Sequence, residues 1–320
     1  MKRFWIGMAC LMAGCMQQGK PKLVFDSVSE TRQIEAITLL GDTLFTERAL
    51  PSKALDKYET AKLDYESAPE SVENLIWYGR RCAYLKHFNK AIAIYTEGIS
   101  KFPEDARLYR HRGHRYLSTR QYDKAVSDFE KAALLMEGKS DQVEPDGLPN
   151  AQNIPISSLK GNIWYHLGLA HYLQGNYEKA LSVFSKRSET NKFDDNLVSG
   201  GHWMYMILKR IGRSQDAAEI LAPIHKDLDI IENTNYHTIC LFYKEVIGMD
   251  QITIRGDGSS SDDVFLYGLG NWQLYEQKDT VAAKTYFKRL LNEGNPYSFA
   301  YLAAESDWKR FFESPSASVE

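Results

Sequence analysis

The sequence predicts an all-α fold, a superhelical solenoid of paired helices that ends in a further helical segment. One observation is an echo at 34 residues: Gly79 and Gly113, Ala91 and Ala125, and Tyr95 and Phe129 are each separated by that interval. A second is that Trp164, Leu167, Gly168, Ala180 and Phe184 keep the glycine-to-alanine and alanine-to-aromatic spacing of the earlier units. The third is aromatic richness, 19 Tyr and 6 Trp, which supplies wedges to fill the space between paired helices. A period of this length marks supersecondary units that bury their apolar faces only against neighbours.

The elements follow in order. Residues 34–67 make an atypical first repeat, with Ile37, Leu40, Gly41 and Leu44 on its first helix and Ala54, Tyr58 and Ala61 on its second. Atypical ends are expected because a terminal repeat turns one face to water. Repeats at 72–105 and 106–139 are regular, and the glycine of each lets its first helix approach the alanine of its second, with Pro103 as a helix stop. Residues 139–158 interrupt the register with Pro145, Pro149, Pro155 and the turn former Asp146-Gly147. Prolines restrict the backbone, so this insertion is expected to be a structured loop bordering the groove. A repeat at 161–194 restores the register, and a looser one at 195–228 pairs Val198–Arg210 with Asp216–Ala222. A helix at Asn235–Val246 completes the solenoid, 34–250, and a linker leads to a C-terminal helical segment at 263–313. That segment holds a helix pair, Asp263–Tyr275 and Thr280–Asn292, and a short helix from Tyr297 to Phe312; residues 314–320 form a disordered tail.

Charge and termini bound the function. A formal net charge of -3, from 39 basic and 42 acidic residues, gives no global field for nucleic acid. Lys2 and Arg3 precede a short apolar run from Phe4 to Ala13, the layout of a secretory signal and too short to span a bilayer. Met12-Ala13-Gly14-Cys15 resembles a bacterial lipobox, which makes residues 1–15 a lipoprotein-type signal, Cys15 the lipidated residue and 16–33 a tether. Cys10 is a weaker competing site, and a plain cleavable signal or an uncleaved short anchor is the alternative. Met16 after the cysteine points to an outer-membrane lipoprotein facing the periplasm or the cell surface. Cys82 and Cys240 sit in apolar helical positions, as small core hydrophobes rather than a disulfide or a zinc site.

The repeat pattern itself resembles the tetratricopeptide signature. The segments WYGRRCAYL, YRHRGHRYLSTRQYDKA, VEPDGLPN, NIWYHLGLAHYLQGNYEKAL and YGLGNWQLYEQKD together are similar to a family of bacterial secreted or lipid-anchored tetratricopeptide proteins without an assigned biochemical role. The resemblance implies a concave groove lined by the first helix of each repeat. Its register puts Arg80 and Tyr84, then Arg107, Arg110, His114 and Leu117, then Asn162, Tyr165 and Tyr172 on that wall. Guanidinium forks suit carboxylates and tyrosines add stiff stacking area, so the expected function is an envelope-anchored scaffold for protein–protein interaction. Its partner is another envelope protein or a peptide segment, acidic by complementarity. The runner-up is a glycan or small-molecule binder using Tyr84, Tyr165, Tyr172 and Trp203.

A solvated face is the competing account of Arg110, Arg112 and Arg115, with Glu104 and Asp105 as acidic neighbours. Thr38 and Asp42 stand where the carboxylate clamp of chaperone-binding relatives has Lys and Asn, so a chaperone tail is not supported. His111 and His114 share a helix face, and His166 holds the register position of His111, so those two are expected to approach each other. Further ligands and a second shell for a metal are not identifiable. With neither a catalytic set nor a cofactor motif, an enzyme is not expected.

Overall fold

The computed structural model describes residues 33–46, 52–256 and 260–313. The expected signal, the lipidated Cys15, almost all of the tether and the 314–320 tail lie outside the described residues. The chain forms a short hairpin, β1 (Ile34–Ile37) and β2 (Thr43–Phe45), followed by helices α1 (Ser52–Ser67), α2 (Val72–Tyr84), α3 (Phe88–Lys101), α4 (Ala106–Ser118) and α5 (Tyr122–Leu135). Then come α6 (Leu159–Leu173), α7 (Tyr177–Ser188), α8 (Asp194–Arg210), α9 (Ser214–Leu221) and α10 (Thr234–Tyr243). Last are α11 (Ser260–Tyr275), α12 (Thr280–Glu293) and α13 (Phe299–Trp308), which runs into a π-helical turn. Among the described residues no helix is long and apolar enough to cross a membrane.

The sequence echo has a steric cause. A Cβ added at Gly79 would lie 2.5 Å from the Tyr95 ring, at Gly113 2.9 Å from Phe129, at Gly168 2.8 Å from Phe184 and at Gly270 2.5 Å from Phe287. In each pair the aromatic of the second helix lies flat on the glycine of the first, and any side chain there would overpack the contact. Ala91, Ala125, Ala180, Ala217 and Ala283 are wholly buried on the facing helix. The turn inside a pair passes through the left-handed region two residues past the first helix, at Lys86, Arg120, Gly175 and Gly212. Where a repeat begins, Ser71, Asp105 and Ser158 cap α2, α4 and α6 by accepting a backbone N–H from the first turn.

Residues 34–45 depart from the expected helix. They form an antiparallel hairpin pairing Ile37 with Thr43 and Ala36 with Leu44. Gly41, expected to allow a close helix approach, has φ +97 in the hairpin turn, and β-branched Ile34, Ile37 and Thr43 favour the pleat. Buried Glu35 accepts from the Asn89 amide at 2.8 Å, at the start of α3. At its other side the Leu39 carbonyl accepts from Lys309 Nζ at 2.8 Å and the Leu39 amide donates to Glu305.

The short C-terminal helix returns onto a first helix of the repeats far earlier in the chain. α13 packs against α6, α11 and α12. Phe299 stands 5.5 Å from the His114 ring, 5.4 Å from His166 and 6.0 Å from Tyr165. Glu305 is wholly buried and pairs with Arg120 Nε at 3.1 Å. Cys82 and Cys240 are free and buried, and burial pushes the Cys82 thiol up to about 12.

Candidate functional site

α2, α4 and α6 lie side by side as one wall. Of the residues expected there, Arg80, Tyr84, Arg110 and His114 converge on a cavity of about 120 Å³ that His111, Arg115 and Glu144 also line. Glu144 comes from the insertion, which is ordered as a loop: Val143 bridges Ser158, and the Glu144 amide donates to the Ser157 carbonyl at 2.9 Å. Its prolines restrict the backbone, and its course brings Glu144 to the cavity.

The contacts between wall and loop are specific. Arg110 Nη2 lies 3.0 Å from Glu144 Oε1. Arg80 donates to the Pro145 carbonyl at 2.8 Å and Arg81 to the Gly147 carbonyl at 2.9 Å. Gly147 sits so tightly on Tyr84 that a Cβ there would fall 1.8 Å from the phenol oxygen. Arg80 also packs over the Trp77 ring at 4.3 Å and donates to the Tyr84 hydroxyl at 3.2 Å. The chain's own insertion is thus seated on the wall by one carboxylate and two backbone carbonyls.

Burial sets the charge states. The Arg110 guanidinium is lowered by burial, partly offset by Glu144, and Arg115 is pushed down to about 10 by burial. His111, His114 and His166 are held well below the usual imidazole range by burial first and by neighbouring arginines next. They are neutral at pH 7, so the positive charge of the wall belongs to its arginines.

Other expected wall residues are elsewhere. Arg107 turns to the start of its own helix, pairing with Asp105 at 2.7 Å and Glu73 at 2.7 Å. Tyr172 is 1% exposed, its hydroxyl 2.7 Å from that of Tyr267, because α11 packs where open groove was expected. Tyr165 is enclosed by Phe299, its hydroxyl accepting from Trp203 Nε1 at 3.0 Å, and Trp203 is wholly buried. Tyr172 and Trp203 are core residues, and Tyr165 is half-buried against them. Asn162 lends its backbone carbonyl to His166 Nδ1 at 2.6 Å, and Leu117 is wholly buried. Arg112 forks onto Asp128 with two 2.8 Å bonds that tie α4 to α5. His114, rather than His111, meets His166, with ring centres 4.4 Å apart, while His111 stacks on Tyr95. Among the described residues no group of three or more His, Cys, Asp or Glu could hold a metal ion.

Sequence reasoning missed Arg81, Glu144 and Phe299. The signal for Glu144 was present as the acid beside Pro145 in an insertion bordering a basic wall. Phe299 had no such signal, because a short apolar helix does not announce which groove it fills.

Segments 161–186 and 265–293 each match a tetratricopeptide repeat model, the first covering most of α6 and α7, the second most of α11 and all of α12. Over 152 residues the chain is 28% identical to small glutamine-rich tetratricopeptide repeat-containing protein 2 of Saccharomyces cerevisiae, covering 46% of this chain and 38% of that protein. The chain therefore spans about two fifths of the length of that curated relative. Among solved structures it is similar to YrrB, described as a TPR protein with an unusual peptide-binding site, with a TM-score of 0.42, 16% identity and coverage of 77% of this chain and 98% of that one. It is also similar to Naa15/Naa10 bound to HypK-THB, with a TM-score of 0.24, 12% identity and coverage of 83% and 55%. The two matched segments are similar to tetratricopeptide repeats, and the glycine–aromatic wedge that they contain recurs between the paired helices at Gly79, Gly113, Gly168 and Gly270 of an all-α solenoid.

Proposed function

We propose that this repeat scaffold for protein–protein interaction takes an extended acidic segment of a partner on the wall of Arg80, Arg81 and Arg110, in exchange for its own insertion. The observation that carries the reading is the seat of residues 144–147, whose carboxylate and carbonyls accept from those three arginines. A partner segment offering a carboxylate and free carbonyls at the same spacing accepts from them equally well. Charge-assisted bonds of this kind are the strong ones, and main-chain acceptors make the seat tolerant of side-chain identity. Anchoring in a cell envelope through lipid on Cys15 belongs to the same proposal and is supported by the sequence of residues 1–15.

The test is binding to an array of extended acidic peptides. Wild-type chain is expected to retain a subset, and the double substitution Arg80→Gln and Arg110→Gln to weaken that retention tenfold or more with an unchanged helical circular-dichroism signal. Equal retention by both proteins would count against the arginine wall.

A further inference from the structure

Two guanidinium groups that line the cavity, those of Arg80 and Arg115, have no carboxylate partner among the described residues; Arg80 donates instead to the Pro145 carbonyl and the Tyr84 hydroxyl. Arg115, in the last turn of α4, lies over the Phe88 ring at 5.2 Å, and among the described residues no oxygen accepts from its side chain. Arg110 adds a second unmet donor. Its Nη2 lies 3.0 Å from Glu144 and its Nη1 3.0 Å from His111 Nδ1, yet its Nε is buried without a partner. Three arginines thus face one carboxylate across the cavity, a surplus of two positive charges. His111 and His114 add none, being held neutral by burial.

A buried, unpaired guanidinium nitrogen such as Arg110 Nε is strongly unfavourable, and Arg115 beside it is half-buried with its fork turned to the cavity. The cavity of about 120 Å³ far exceeds the ~10–15 Å³ that a single water needs, so it admits a group of several heavy atoms. A guanidinium fork matches the oxygens of a tetrahedral oxyanion in pairs, with charge assistance.

We propose that this cavity is a binding site for a small tetrahedral oxyanion, phosphate or sulfate, held by the Arg115 fork and Arg110 Nε. The site shares Arg110 with the proposed peptide seat, and phosphate titration tests it apart from peptide binding. The ion neutralises the wall from within and needs no exchange of the insertion.

Calorimetric titration of the purified chain with inorganic phosphate at constant ionic strength is expected to show one ion per chain, accompanied by a rise in Tm. Arg115→Leu keeps an apolar stem on Phe88 and removes the isolated charge. It is expected to fold at least as stably in chloride and to lose phosphate binding at least tenfold. Arg115→Lys keeps the charge without the fork and is expected to fall between the two. Phosphate and sulfate stabilise folded proteins generally by exclusion from their surfaces, so the Tm rise of Arg115→Leu sets the baseline. Binding of inorganic phosphate without O-phosphoserine assigns a free ion, and binding of O-phosphoserine assigns an esterified group; either upholds the oxyanion site. No heat with wild type, or equal binding by wild type and Arg115→Leu, overturns it.

Discussion

Asp307→Asn is expected to lower the unfolding free energy by about 3–5 kcal/mol, the range for stripping one partner from a buried ion pair. Asp307 and Arg210 are both 1% exposed along their side chains. Arg210 Nη1 donates to Asp307 Oδ1 at 3.0 Å, Tyr267 donates to Oδ2 at 2.7 Å, and Arg210 also reaches Tyr177 and Asn271 at 3.0 and 3.1 Å. The carboxylate joins α8, α11 and α13 at one point, and its loss leaves Arg210 charged with only neutral partners. Urea unfolding measures the loss. A second result separates charge from packing: the pair Arg210→Met with Asp307→Leu should recover much of it, since apolar replacement of a whole buried pair is often neutral. Asp216→Asn, in the exposed pair with Arg213, should change stability by less than about 1 kcal/mol.

Stability should also fall steeply as pH drops from 7 to 6. His111, His114, His166 and His202 are driven down by burial, His202 to about 3. In the unfolded chain they take up protons near pH 6.5; in the folded chain they do not. Unfolding therefore binds protons below that pH, and the stability these groups contribute is lost as pH falls through 6.5, on the order of 1 kcal/mol per pH unit for each. Buried Asp263 acts oppositely. Its carboxyl is pushed up to about 6 by burial, so it contributes stability below pH ~4 that is lost as pH rises to about 6. Glu35, Asp128 and Glu305, also raised by burial, share that sign. Between pH 7 and 6 the histidines dominate. The urea midpoint should fall through this interval, and less so in His202→Phe. A flat profile there would contradict neutral buried histidines.

What was legible in the sequence is what local sterics fix. Glycine at 79, 113 and 168 with an aromatic later in each repeat required close helix pairs, because only glycine admits the ring at these distances. That Arg80 and Arg110 share one face was legible, since helix register fixes which face a residue takes, and both line the same cavity. What stayed hidden is non-local. Arg107 had a nearer partner in Asp105, which caps the same helix. Tyr165 and Tyr172 take the wall direction, but whether that wall stays open depends on α11 and α13, which return from far along the chain. Residues 34–45 misled because Gly41 fits a helix contact and a hairpin turn equally well, and docking on α3 and α13 favours the hairpin.

The most direct test of self-occupancy uses the insertion against its own seat. Tethered, the loop acts at an effective concentration in the mM range, which a free peptide does not match. Gly147→Val drives the loop off the Tyr84 hydroxyl, 1.8 Å from where its Cβ would stand. Fluorescence anisotropy of a labelled peptide spanning residues 143–150 should show at least tenfold tighter binding to Gly147→Val than to wild type, and loss of that binding when Arg110→Gln is added. Absence of binding to natively helical Gly147→Val chain, or binding indifferent to Arg110, would contradict the exchange.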